Sequence, residues 1–282
     1  MDMNEKNENY LQNQVKFLGF GESLNQEISE KISKQEPEFV IEHRSVYGED
    51  EATATLNFTR SKESDLYFFN SYDMAVKRGG ENDTVKQTFY VGRENNTTAK
   101  EAYNLLSGRA VYKELSKMRM IREGGEQRLE PTGEKYMAWK ELNFKQTDAK
   151  GNFETRLFFD NYGYDVEKVL KPFKFKELAD EYDKSRVIES LKKGNLHRVT
   201  ADDNGSEQKF LIAANPKDHT INIYDGNMQR VELKQVREIH HLAEKVKGEK
   251  HAANENKKQS RKLPEESAAK PAEKPRHYRK VS

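Results

Sequence analysis

The sequence predicts an α+β fold: duplicated antiparallel meander or hairpin units with flanking helices, a small C-terminal helix-plus-three-strand unit, and a disordered basic tail. Three observations carry this expectation. From Glu38 onward apolar residues alternate with polar ones at period two. The phrase LNFTRSKESDLYFFNSYDM, Leu56 to Met74, returns as LNFKQTDAKGNFETRLFFDNYGYDV, Leu142 to Val166. Helix-spaced apolar residues precede and follow these strands.

The first segment reads as a helical hairpin. Tyr10, Leu11, Val15, Leu18 and Phe20 follow a loose helical pattern interrupted at Gly19 and Gly21. Ser23 with Gln26 fits a capping box, in which each residue satisfies the other's free backbone donor. Leu24, Ile28 and Ile32 then share one face, and Pro37 closes the helix.

EFVIEHRSV, EATATLNF and DLYFFN are three strands of an antiparallel meander, and KQTFYVG, Lys86 to Gly92, is a fourth. In TTAKEAYNLLSG, Thr98 and Glu101 form a second capping-box pattern, and Gly108 supplies the left-handed stop. RAVYKEL opens the second half as a strand, and SKMRMIREGGEQRLEPTG reads as a long connection. In EKYMAWKELNF, Tyr136, Ala138, Leu142 and Phe144 share one strand face with Trp139 on the other. NFETRLFFDN pairs back across the DAKGN turn. The two Leu-Asn-Phe phrases are therefore expected in matching hairpins.

After Tyr162 the pattern turns helical. YDVEKVLKPF stops near Pro172, and Leu178, Tyr182, Val187, Ile188 and Leu191 are spaced for a longer helix. Lys192 and Lys193 suit its C-terminal dipole and Gly194 caps it. Three short strands follow through Val231, with Asp203-Asn204-Gly205 as a hairpin turn and Asn215-Pro216 opening the next link. Leu233, Val236, His240 and Ala243 mark a surface helix. These readings divide the chain into a helical hairpin (1–36), a first α+β repeat (37–108), a second (109–172), a helix plus β-hairpin unit with a surface helix (173–243), and a disordered tail (244–282).

Composition bounds the chemistry. The 282 residues are 34 % hydrophobic and 34 % charged with a mean hydropathy of −1.06, which implies a modest core with disordered ends. No cysteine is present, excluding disulfides, Cys-based zinc sites and thiol catalysis. The start of the chain lacks an apolar leader and no run approaches a membrane span, so a cytoplasmic protein without membrane contact is expected. The Asn-x-Ser/Thr matches at Asn57, Asn82, Asn95 and Asn96 are then fortuitous. Residues 244–282 carry 12 Lys or Arg against 6 Asp or Glu, leaving 37 against 42 in the body. An acidic body does not track phosphates, although the tail suits weak nucleic-acid contact.

No phosphate loop and no nucleophile elbow is present. His240 and His241 are adjacent, which points them about 100° apart on a helix, and His197 and His219, placed in strands, have no assignable carboxylate. Asp202, Asp203 and Asn204 read as a turn rather than a calcium loop. Glu177, Asp180 and Glu181, flanked by Lys174, Lys176 and Lys184, read as a salt-bridged helix face rather than an acid–base pair. Hence no catalytic, metal or cofactor residue is assigned, and no cofactor is expected.

The aromatic phrases supply the candidate interaction surface: Tyr67, Phe69, Trp139, Phe158, Tyr162 and Tyr164, with Arg156. Their rings exceed what one strand face buries. A sheet covered on both faces is the ordinary reading. A stacking platform for unpaired bases is the functional one, with Lys62 and Arg156 as cations. Asp65, Asp73, Asp160 and Asp165 stand against it by repelling phosphate.

The blocks TAKEAYNLLSGRAVYKEL, GEKYMAWKELNF, NYGYDVEKVL, RVIESLKKGN and FLIAANPKDHTINIYDGNMQRV resemble, in order and from about Tyr10 to Val231, a family of uncharacterised proteins. These are encoded on conjugative and integrative elements of Bacteroidetes-type bacteria. The connection after Leu115 is longer here than that pattern. The resemblance carries no catalytic or binding residue; it implies a setting beside transfer or replication proteins. The expected function is a non-catalytic cytoplasmic accessory protein of a mobile element, acting through protein or nucleic-acid contacts. A single-stranded nucleic-acid binder using the aromatic hairpins, and an enzyme with a dispersed site, are the alternatives.

Overall fold

The computed structural model describes residues 3–234 and 236, apart from 124, 204 and 205. The fold is α+β, with 26 % helix, 45 % strand and three antiparallel sheets. The Asn204-Gly205 turn, the part of the expected surface helix after Val236 with His240, His241 and Ala243, and the 244–282 tail lie outside the described residues.

Helix α1 (Met3–Val15) runs into a π turn, Lys16–Phe20, and α2 (Asn25–Ser33) folds back on it. Gly19, at φ 90°, permits the reversal. Glu8, Gln12 and Ser29 tie the helices together: Gln12 donates to Ser29 Oγ at 3.1 Å, and Ser29 donates to the Glu8 carboxylate. The Ser23–Gln26 capping box does not form. Leu24 occupies the N-cap with helical backbone, φ −91° and ψ −5°, and no side chain caps the helix. A capping side chain needs an extended N-cap residue to reach the first-turn amides.

The first sheet is the predicted meander: β1 (Glu38–Tyr47), β2 (Asp50–Arg60), β3 (Tyr67–Lys77) and β4 (Thr84–Tyr90), in that order. Its inward residues meet α1, α2 and α3 (Ala99–Leu106) in a first core that includes Leu56, Phe58, Phe69, Tyr72 and Phe89. Helix α3 begins with the complete Thr98–Glu101 capping box, and Gly108 follows it at φ 76°. The opposite face, with Thr53, Thr55, Asn57, Asp73 and Thr88, carries no covering layer among the described residues. There Asp73 accepts from Asn57 at 2.9 Å and from Thr88 at 2.6 Å.

A second sheet, β5 (Val111–Glu123), β6 (Glu126–Thr147) and β7 (Phe153–Phe159), corrects the reading of residues 116–133 as a connection. Strand pairing continues from Val111↔Lys140 out to Glu123↔Glu126. Gly125, between the two strands, has a left-handed backbone at φ 89°. This sheet is a wall between two cores. Val111 and Leu142 belong to the first, whereas Ala110 and Trp139 belong to the second.

The second core is completed by α4 (Val166–Leu170), α5 (Glu181–Lys192) and the sheet β8 (His197–Asp203), β9 (Ser206–Asn215), β10 (Thr220–Tyr224) and β11 (Arg230–Val231). Asp180 caps α5 by accepting from the amides of Tyr182 and Asp183. Glu177 accepts from the Thr200 amide, and Glu181 pairs with Lys184 at 3.5 Å, so of the acidic trio only Glu181 keeps the predicted helix-face ion pair. His219 lies in the turn between β9 and β10, at φ 49°, and not in a strand.

A buried arginine joins the two halves. Arg109 donates to Gly194 O at 2.9 Å and to Asn104 Oδ1 at 2.8 Å, while Asn104 donates to Lys193 O and Asn195 Oδ1. Gly194 sits at φ 76°, and a Cβ there would come within 2.9 Å of Ala110 O.

Candidate functional site

The rings proposed as one surface separate into two cores. Tyr67 and Phe69 are buried in the first; Tyr67 donates its hydroxyl to Glu36 O at 2.8 Å, and Phe69 stacks on Phe58. Trp139 and Tyr164 are buried in the second, edge to face at 5.3 Å. The Tyr164 hydroxyl donates to Thr220 O at 2.9 Å, and burial raises its pKa. Phe158 is half-buried against the same core. Tyr162 is exposed, its hydroxyl on Lys217 O and its ring stacked on His219 at 4.5 Å. Arg156 lies 3.9 Å from Glu141, whose carboxyl is pushed up by burial against the opposing pull of Arg156. Four of the six rings are thus closed to any ligand, Tyr67 and Phe69 in the first core and Trp139 and Tyr164 in the second.

The site that the structure does assemble lies where β4, the edge strand of the first sheet, faces β6 and the β6–β7 turn. A cleft of about 700 Å³ opens there, lined by Gln87, Thr88, Phe89, Tyr90, Asn95, Thr97, Lys140 and residues 146–148 and 152–155. Two bonds hold its walls together. The Thr88 amide donates to Asn152 Oδ1 at 2.8 Å, and the Phe153 amide donates to Gln87 Oε1 at 2.7 Å. A bulge shapes its floor: Asn143 pairs with Glu154 and the next pair is Thr147 with Phe153, so residues 144–146 leave the ladder.

One short segment, Asn95–Thr98, organises the inner wall. Asn95, at φ 61°, accepts from the Ser116 amide and donates to Ser116 O, capping the open edge of β5. Asn96 O accepts from Lys113 at 2.7 Å, and Thr97 Oγ1 accepts from Lys140 at 3.0 Å. Thr98 then starts α3.

Lys113 and Lys140 point to the same side of the sheet, since Lys113 pairs with Ala138 two positions along β6 from Lys140. Their environments differ. Lys113 is 2.7 Å from Glu101, with both side chains about one-fifth exposed (18 % and 20 %). Glu101 is therefore engaged by Lys113 and by the α3 cap. Lys140 has no ion pair among the described residues; its contacts are Thr97 and the Phe89 ring, 5.9 Å away. Burial, then the charge of Lys113, lower its pKa from 10.5 to about 8, with Glu101 opposing. At the lip, Asp148 accepts from the amides of Lys150 and Asn152, which hold its pKa down, and Lys150 reaches the Tyr90 hydroxyl at 3.1 Å. Glu154 accepts from Asn143 at 3.2 Å.

Lys140 was legible as an anomaly. It stands between Ala138 and Leu142, on the face assigned inward, and a lysine in an apolar register is a signal in itself. What the alternation could not show is that Glu101 is already engaged elsewhere.

Among the described residues no group of three or more His, Asp or Glu is placed to hold a metal, and no helix is long and apolar enough to cross a membrane. No protein-family model, curated protein or solved structure matches this chain.

Proposed function

We propose that this chain is a binding protein that receives a small ligand with an anionic group in the β4–β6 cleft, with the group seated on Lys140. The observation that carries the reading is a half-buried ammonium facing an open cavity with no carboxylate partner among the described residues. A desolvated cation is costly, and a ligand anion compensates that cost better than water does. Phe89, Tyr90 and Phe153 offer apolar surface beside it, while Gln87, Asn95 and Thr155 offer polar partners. The resemblance to proteins of mobile elements supports a non-catalytic accessory role beside transfer or replication proteins. The burial of Tyr67, Phe69, Trp139 and Tyr164 counts against a base-stacking surface on these hairpins.

The test is NMR of the lysine side chains during titration with sodium phosphate and with sodium acetate at constant ionic strength. A saturable shift of the Lys140 signal, absent for exposed lysines such as Lys117, supports the reading. A response shared by all lysines, or none, removes it.

A further inference from the structure

We propose that Lys140 is a reactive amine that captures small aldehydes in the cleft as an imine. The proposal rests on the cleft being a ligand site and adds the chemical class of the ligand. Three features of the geometry carry it. The amine is reachable, because Lys140 lines the cleft itself. It is not held as an ammonium by a carboxylate: Glu101 is taken by Lys113, Asp148 by two backbone amides, and Glu154 by Asn143. Among the described residues its hydrogen-bond partner is Thr97 Oγ1, a hydroxyl that turns from acceptor to donor when the amine loses its proton.

The second of these favours the neutral amine, the form with a lone pair for attack, and the third accommodates it. The nitrogen attacks the carbonyl carbon and forms the C–N bond while a proton passes from nitrogen to the former carbonyl oxygen. Loss of water from this carbinolamine gives the imine, and hydrolysis reverses the sequence. No oxidant or reductant takes part. The charged groups around the amine are Lys113, Glu101, Asp148 and Glu154; the lysine favours the neutral form and Glu101 opposes it.

The experiment incubates the full chain with glyoxylate, an aldehyde bearing a carboxylate, or with propanal, then adds cyanoborohydride, whose hydride reduces any imine to a stable secondary amine. Peptide mass spectrometry locates the label. Lys140 is expected to label at least about tenfold faster than exposed lysines near neutral pH, because more of it is neutral there. Its rate should rise through about pH 8. Faster capture of glyoxylate than of propanal would join the imine to the proposed anion seat; equal capture supports the amine alone. Uniform labelling of surface lysines, or none at Lys140, overturns the proposal. Lys140→Arg cannot form an imine, so capture at this position should be lost. Loss of phosphate binding in the wild type would instead break the underlying binding reading, so the two failures are separable.

Discussion

The same three residues, Leu-Asn-Phe, lie near the end of a strand in two hairpins and meet different fates. In β2–β3, Phe58 pairs with Phe69 and is buried between Phe39 and Phe69; the irregularity falls on the partner strand, where Asn70 is the extra residue. In β6–β7 the irregularity falls within the phrase itself. Residues 144–146 leave the ladder, Phe144 becomes 41 % exposed against Phe153, and the second Phe-Phe pairs back with Ala138 and Trp139 rather than with the phrase. The hairpins therefore match in kind and not in register. The first bulge leaves the sheet's core face continuous, whereas the second opens the floor of the cleft. A short repeated phrase specifies strand, turn and strand; the position of a bulge, set by what packs on each face, decides what the side chains do.

Substitution of the two phenylalanines tests this difference most strongly. Phe58→Ala should cost about 3–5 kcal/mol, the usual loss for a large buried ring. Phe144→Ala should cost less than about 1 kcal/mol, because its site already opens to solvent. Chemical denaturation of both variants decides the point, and equal losses would show that the hairpins share a packing role.

The cleft provides the next contrast. Lys140→Met removes an unpaired, half-buried cation and should stabilise the fold by up to about 3 kcal/mol at pH 7. The sign follows from the lowered pKa, about 8 in the fold against 10.5 as the reference. Below pH 8 both states carry the proton and the folded state bears the full desolvation cost. Between about pH 8 and 10.5 the folded lysine gives up its proton first, and the cost fades. The advantage of the variant should therefore shrink as pH rises across that window. An advantage that is constant with pH would assign the gain to packing instead.

The two asparagines give the smallest contrast. Asn143 is 4 % exposed; it donates to Gln146 and Glu154 and accepts from the Lys145 amide. Asn143→Ala should cost about 1–3 kcal/mol through the partners it leaves. The same replacement at Asn57, which donates to Asp73 on the solvent face, should cost below about 1 kcal/mol. A reversed order would mean that the bulge does not depend on Asn143.

Local rules read well where the deciding partner is close in sequence. Thr98 and Glu101 meet three residues apart, and their capping box forms. Gly108 and Gly194 take the left-handed backbone assigned to them. Ser23 and Gln26 have the same spacing and form no box, because the tertiary fold brings the chain into α2 through a turn with helical backbone. The Gly124-Gly125 turn signal was present, yet the polar composition around it hid a hairpin whose outer residues Met120 and Leu129 remain exposed.

The sequence by itself determined the α+β class, most strand faces, the helix stops and the absence of thiol chemistry, since these follow from residue type and from neighbours a few positions away. Only the tertiary structure decided that the second sheet divides two cores, that Trp139 and Tyr164 lie inside, and that Lys140 faces a cleft with no counterion among the described residues. Burial and pairing are set by groups distant along the chain. Thr97, Glu101, Lys113 and Lys140 come from the α3 entry, β5 and β6, and no local pattern states which carboxylate is already engaged.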